Sequence, residues 1–166
     1  MAIEYLVALP IDKMRHGDTY RHGESLPLHC TLMHWFRLDE EQSDLRTRLS
    51  QKLTSIAGSR EHDSVKMRSG GRALFGPQGD VPVTLLHRNV PLELMHTELL
   101  LFLALWQSAP KVLQWIGAGY RPHVADVNGH MFAPHRQRTA RTLVLAERVD
   151  GGTKTIVEEH KIGMPL

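Results

Sequence analysis

The chain has one cysteine, Cys30, among its 166 residues. A single thiol can form neither an internal disulfide nor a zinc site built from several thiolates. Long apolar runs are also missing, because the longest one, residues 92–106, is interrupted by Glu93, His96 and Glu98. No segment is therefore predicted to span a membrane. The first residues lack the basic region of a secretory signal. We expect a reducing, cytoplasmic setting.

The chain also lacks a large excess of positive or negative charge. Lys and Arg number 20 and Asp and Glu 18, which leaves a net charge of +2. This excess is too small for a general polyanion binder. Apolar residues make up 42% of the chain, which excludes a disordered protein, and the length predicts one domain over residues 1–166. The unusual figure is eleven histidines, whose side chains titrate near neutrality.

The order of elements predicts an α+β fold. Period-two and β-rich segments indicate strands, and apolar stripes with Asp39 and Pro91 near their starts indicate two helices. Each half of the chain contains a strand, a helix and a strand with a central histidine, which indicates two similar α+β lobes. The predicted strands are residues 4–11, 28–38, 65–75, 81–87, 120–127, 143–149 and 153–162; the helices are residues 39–58 and 92–107, and the long loops are residues 12–26 and 128–139.

Two of these strands carry a histidine followed two positions later by a small residue. His29 precedes Thr31, and His123 precedes Ala125. Alternate side chains of a strand share a face, so each pair is expected to project together. An imidazole beside a hydroxyl can bind a phosphate oxygen and move a proton. If the two strands faced each other, one imidazole could deprotonate water while the other protonated a leaving oxygen.

The ordered pair of motifs, 94 positions apart, resembles the two-histidine (2H) phosphoesterase superfamily. The nearest branch is the 2′-5′ RNA ligase-like proteins, or RNA 2′,3′-cyclic phosphodiesterases. The resemblance covers most of the chain. It rests on Leu9-Pro10, on LHCTL at residues 28–32, on GRALFGPQGDVPVTLL at residues 71–86 and on GYRPHVA at residues 119–125.

This resemblance implies two lobes, each an antiparallel sheet with a flanking helix, around a central cleft. It also implies cofactor-free chemistry with His29 and His123 as general acid and base and Thr31 as a phosphate ligand. The chain departs from the family at Ala125, where members have Thr or Ser, so one phosphate-binding hydroxyl is missing. Arg121, which is expected on the face of His123, is a second candidate for phosphate contact.

Other polar and aromatic residues have two interpretations each. His16 and His22 form either a lid or an ordinary exposed loop, and Arg136, Arg138 and Arg141 either attract an RNA end or lie in a solvated turn. Three aromatic side chains could stack on a base or pack in the protein: Trp35, Phe75 and Tyr120. No HExxH motif or other ligand spacing predicts a metal site.

The predicted function is a metal-independent phosphodiesterase. Its substrate would be a 2′,3′-cyclic phosphate RNA end or a 2′-5′ or cyclic nucleotide phosphodiester. The alternative is a catalytically weak nucleotide- or RNA-binding module of the same fold, which the missing hydroxyl at Ala125 favours. We expect a monomer whose partner is a nucleotide or RNA end, with no membrane and no obligatory protein partner.

Overall fold

A computed structural model describes residues 1–38, 44–61, 65–106 and 116–163. In these ranges the chain forms nine strands and two α-helices. The helices are α1 (Leu45–Gly58) and α2 (Val90–Leu105). The strands are β1 (Ile3–Pro10), β2 (Thr19–Tyr20), β3 (His29–Phe36), β4 (Lys66–Phe75), β5 (Val81–Leu86), β6 (His123–Ala125), β7 (Gln137–Thr139), β8 (Thr142–Val149) and β9 (Lys154–Lys161). The predicted α+β class is confirmed.

All nine strands pair antiparallel in one hydrogen-bonded order, β2-β9-β8-β1-β3-β6-β5-β4-β7. The sheet's centre is therefore the β1–β3–β6–β5 group, in which strands from both halves of the chain are neighbours. The predicted separation into two lobes stays a prediction, because the strands form one continuous sheet.

The two faces of the sheet are covered differently. Both helices pack on one face, where the larger core contains their stripes with alternate residues of the strands, including Leu9, Cys30 and Val124. The opposite face carries a smaller cluster around Ala8 and Val144, covered by Met14 and Leu26 from the segment between β1 and β3. Residues of β3 that do not face the helices therefore project from this opposite, more open face of the sheet.

Some element boundaries differ from the sequence predictions. The predicted loop 12–26 contains β2, which pairs with β9, and the predicted loop 128–139 ends in β7, which pairs with β4. Strand β6 is three residues long, far shorter than the predicted 120–127. Very short edge or connecting strands have too little sequence pattern to be detected by alternation. The predicted start of the first helix at Asp39 lies outside the described residues. No described helix is long and apolar enough to cross a membrane.

Candidate active site

A cavity of about 230 Å³ opens on the more open face of the sheet, above the β3–β6 pair. Its lining includes the two motif histidines and both residues that follow them in alternation. The residues that line it are His29, Thr31, His34, Phe75, Gly76, Val81, His123 and Ala125. Strand alternation predicts that His29 projects with Thr31 and that His123 projects with Ala125. The structure places both pairs in this one cavity.

The register of β3 and β6 explains this arrangement. Cys30 pairs with Val124, and both are fully buried against the helices. In an antiparallel ladder the flanking residues are then opposed crosswise, with Thr31 opposite His123 and His29 opposite Ala125. The two histidines occupy the diagonal positions, about 7–8 Å apart along the sheet surface. The strands lie side by side in one sheet, so the imidazoles stand next to each other above it.

Each motif histidine is held by the carbonyl group two residues earlier in the chain. His29 Nδ1 lies 2.7 Å from the Pro27 oxygen, and His123 Nδ1 lies 2.7 Å from the Arg121 oxygen. A carbonyl oxygen only accepts hydrogen bonds, so each Nδ1 carries the proton and donates it. The neutral ring consequently keeps the lone pair on Nε2. Both Nε2 atoms are thereby set up to accept a proton.

Burial sets the direction of both pKa shifts. Burial lowers the pKa of His29 from its usual 6.5, against the hydrogen bond to Pro27, and the His123 imidazole lowers it further. Burial also lowers the pKa of His123, again against a carbonyl hydrogen bond, and the Arg121 charge adds to the decrease. Both rings are therefore mainly neutral at neutral pH.

His34 is a third imidazole in this cavity that alternation from His29 does not predict. Simple alternation would turn residue 34 toward the helices. However, Val7 pairs with Met33 and Ala8 with Thr31, so Leu32 is an extra residue in β3. Such a bulge shifts the alternation by one position. The ring of His34 lies 6.5 Å from that of His123, and burial followed by the repulsion of neighbouring imidazoles lowers the pKa of His34 to about 4.

Phe75 and Arg121 support His123 from one side. The Phe75 ring is edge-on to the His123 ring, with 4.7 Å between centroids, and it lines the cavity. The Arg121 guanidinium lies over the Phe75 ring at 5.2 Å from its centroid. Arg121 does not line the cavity itself. Its backbone carbonyl orients His123, and its charge lies close enough to lower the pKa of that ring.

Two of the aromatic residues predicted as possible stacking partners lie elsewhere. Trp35 is partly buried beside the smaller cluster, with the Arg148 guanidinium 4.2 Å from its ring centroid. Tyr120 precedes β6 and is buried on the helix side. Its ring stacks on His96 at 3.9 Å, and its hydroxyl donates a hydrogen bond to the Thr31 oxygen at 3.0 Å. In the structure, both residues pack against other side chains of the protein and neither lines the cavity.

The single thiol and the two loop histidines do not line the cavity. Cys30 is buried, and burial raises the pKa of its thiol to about 11, so it stays protonated. His16 and His22 are exposed and do not line the cavity; the ring of His22 is 3.2 Å from the Gly151 oxygen. Among the described residues, no group of three or more His, Cys, Asp or Glu side chains is arranged to hold a metal ion.

Comparisons with known proteins support the fold. No protein-family model matches the chain, and no curated protein matches it. A solved structure, that of TT0787 from Thermus thermophilus, matches with a TM-score of 0.55 and 17% sequence identity over 98% of each chain. At this identity the likeness concerns the fold alone, and the chain has the same overall α+β fold as TT0787.

Proposed function

We propose that the chain is a metal-independent phosphodiesterase of the two-histidine type. Its substrates would be 2′,3′-cyclic phosphate RNA ends, or 2′-5′ or cyclic nucleotide phosphodiesters. One observation carries the proposal: two imidazoles in one cavity each have Nδ1 held by a carbonyl and Nε2 left for proton transfer. The proposed two-lobed arrangement is supported by this pair of histidines, because each half of the chain supplies one of the two strands that carry them.

In the proposed reaction, a water molecule attacks the phosphorus of a cyclic phosphodiester. The Nε2 atom of one neutral histidine takes a proton from this water as the new P–O bond forms. The bond from phosphorus to the ribose 2′ or 3′ oxygen breaks. The other histidine, protonated at Nε2, gives its proton to that oxygen. The product is a phosphomonoester beside a free hydroxyl, and the proton taken by one ring balances the proton released by the other.

Thr31 is proposed to hold the phosphate during this reaction. Its side chain lines the cavity opposite His123, where its hydroxyl can donate a hydrogen bond to a non-bridging oxygen. Ala125 occupies the matching position opposite His29 and offers no side-chain donor. The backbone carbonyl interactions of both histidines do not depend on that hydroxyl. We therefore propose that the missing donor slows the reaction without removing the acid–base pair.

The proposal is tested by hydrolysis of a small substrate panel in the presence of EDTA. The panel contains 2′,3′-cyclic nucleotides, an oligoribonucleotide with a 2′,3′-cyclic phosphate end and a 2′-5′ dinucleotide. We expect turnover by the wild type, near-complete loss in His29→Ala and in His123→Ala, and no loss in His16→Ala, which removes an exposed histidine outside the cavity. Turnover that EDTA abolishes, or that survives in His123→Ala, would contradict the mechanism.

A second candidate function is a nucleotide- or RNA-binding module with little turnover. It is favoured by Ala125, which lines the cavity at a position without a hydroxyl. The variant Ala125→Thr distinguishes the two candidates. If the site is a weakened enzyme, we expect turnover to rise by about tenfold to a hundredfold, the value of one hydrogen bond to a charged group. If the wild type binds the panel without turnover and Ala125→Thr adds none, the binding module is the better description.

A further inference from the structure

A second cavity, of about 500 Å³, lies at the end of β1, next to the connection from β7 to β8. Strand residues Pro10 and Thr142 contribute to its lining. Four cationic side chains also line it: Lys13, Arg15, Arg138 and Arg141. We call this site the basic cavity. The function proposed above makes no use of it.

The basic cavity is adjacent to the candidate active site on the same face of the sheet. Pro10 pairs with His29 in the β1–β3 ladder, and Ala8 pairs with Thr31. Side chains of paired residues project to the same face of a sheet, and neighbouring strands are about 4.8 Å apart. Pro10 lines the basic cavity and His29 lines the active-site cavity. The boundary between the two cavities is therefore about one strand wide.

Positive charges outnumber negative charges in the basic cavity. Among the described residues, two carboxylates, those of Asp12 and Glu159, line it beside the four cations. Within the described ranges, none of Lys13, Arg15 and Arg138 forms an ion pair with a carboxylate. The Arg138 guanidinium donates a hydrogen bond to the backbone oxygen of Ile11 at 3.3 Å, which directs it toward the end of β1. The cavity thus concentrates positive charge in a chain whose net charge is small.

We propose that the basic cavity binds backbone phosphates of an oligoribonucleotide whose terminal phosphodiester lies between His29 and His123. This inference rests on the proposed function and selects RNA ends, rather than mononucleotides, among its proposed substrates. A mononucleotide has one phosphate, and that phosphate would lie between the two histidines. An RNA chain that continues past Pro10 carries further phosphates across the boundary into the basic cavity. Lys and Arg contacts of this kind position a strand without reading its bases, so the binding is expected to tolerate different sequences.

The test compares kcat/KM for a 2′,3′-cyclic mononucleotide with kcat/KM for a short oligoribonucleotide that ends in the same cyclic nucleotide. The variant is Lys13→Gln/Arg138→Gln, since both side chains are exposed and lie outside the active-site cavity. The matched control is Arg88→Gln, an exposed arginine that lies before α2 and pairs with Glu93. Circular dichroism checks that every variant is folded.

We expect the double variant to lose about tenfold or more in kcat/KM on the oligonucleotide and nothing on the mononucleotide, because two charge-assisted contacts are removed. The dependence of oligonucleotide affinity on salt should also weaken, by about 0.7 in logarithmic slope for each lost phosphate contact. The control should match the wild type on both substrates. An equal loss on both substrates, or no loss on the oligonucleotide, would overturn the proposal.

Failure of the basic cavity can be separated from failure of the proposed activity. Binding of a fluorescent oligoribonucleotide is measured by anisotropy for the wild type, the double variant and the control. If the wild type cleaves neither substrate, the proposed activity is wrong. In that case, weaker binding and a smaller salt slope in the double variant alone still support the cavity as a phosphate-binding site, whereas identical binding by all three proteins overturns it.

Discussion

Thr31 lies directly opposite His123 across the β3–β6 ladder, and the residue opposite His29 is Ala125. The hydroxyl and the imidazole that face each other thus come from different motifs and from different halves of the chain. A phosphate held by Thr31 would be placed against His123 first. Because Ala125 has no hydroxyl, Thr31 supplies the only hydroxyl of the two motifs.

Replacing Thr31 with Val tests this role, because Val keeps the branched shape that suits a strand and removes the hydroxyl. We expect kcat/KM to fall by about tenfold to a hundredfold through the loss of a hydrogen bond to a charged oxygen. Thr31→Ser keeps the hydroxyl and should retain most of the activity. Steady-state hydrolysis of a 2′,3′-cyclic nucleotide measures both. Equal activity in Thr31→Val and the wild type would leave Thr31 with a purely structural role.

The lowered pKa values of His29 and His123 predict an acidic optimum. The histidine that acts as acid must be protonated, so kcat/KM falls as the pH rises through its pKa, which lies below 6.5. The histidine that acts as base must be neutral, so kcat/KM also falls at lower pH. We expect a bell-shaped profile of kcat/KM with its maximum below pH 6.5. The two apparent pKa values belong to the pair of rings. A maximum at alkaline pH would contradict this assignment.

The neutral state of His34 predicts a pH-dependent contribution to stability. Its pKa is about 4 in the folded chain and near 6.5 when exposed. Between these values the unfolded chain binds a proton that the folded chain does not, so stability is lost as the pH falls from 6.5 to 4. The difference amounts to roughly 3 kcal/mol.

The variant His34→Phe removes this contribution. His29, His96 and His123 also have lowered pKa values and titrate in both proteins. Because their charges repel a protonated His34, the comparison measures His34 together with this repulsion. Measured by denaturant unfolding, the free energy of the wild type should decrease more steeply between pH 7 and pH 4 than that of the variant. Parallel curves would show that His34 is not held neutral by its surroundings.

The different positions of Tyr120 and Phe75 predict different effects of substitution. Tyr120→Phe removes the hydroxyl that donates to the Thr31 oxygen, so we expect a loss of about 1 kcal/mol in unfolding free energy and an unchanged KM. Phe75→Leu removes a ring that lines the cavity beside His123, so KM should rise. Parallel unfolding and kinetic measurements on both variants check these effects. A raised KM in Tyr120→Phe would instead show that the Tyr120 hydroxyl contributes to substrate binding.

Strand alternation was sufficient to place four site residues. It predicted that His29, Thr31, His123 and Ala125 share a face within their strands, and all four line one cavity. Alternation also gives Cys30, between His29 and Thr31, the opposite orientation, and Cys30 is buried against the helices. These residues lie in regularly paired segments, where local geometry decides the direction of a side chain. The α+β class followed from the order of elements for the same reason.

The features that local sequence patterns do not predict depend on irregular backbone. His34 reaches the cavity only because Leu32 is an extra residue, and no local pattern marks that position as a bulge. Tyr120 was placed on a strand, yet β6 begins at His123, and a short 3₁₀ turn at Gly117–Gly119 directs Tyr120 onto His96. Tertiary contacts with α2 and β3 fix that direction, and they cannot be read from neighbouring residues.

The irregular pairing of β3 also bears on how this cavity can change over time. Residues 29–36 of β3 lie against residues 5–10 of β1, so β3 has two residues more than its neighbour over the same length. The first extra residue turns His34 toward the cavity, and after the second, Phe36 is buried in the core again. An insertion or deletion of one residue here would exchange the side chains that line the cavity while the strand order stays intact. Single-residue insertions and deletions, as well as substitutions, are thus a direct evolutionary route to a cavity with a different lining.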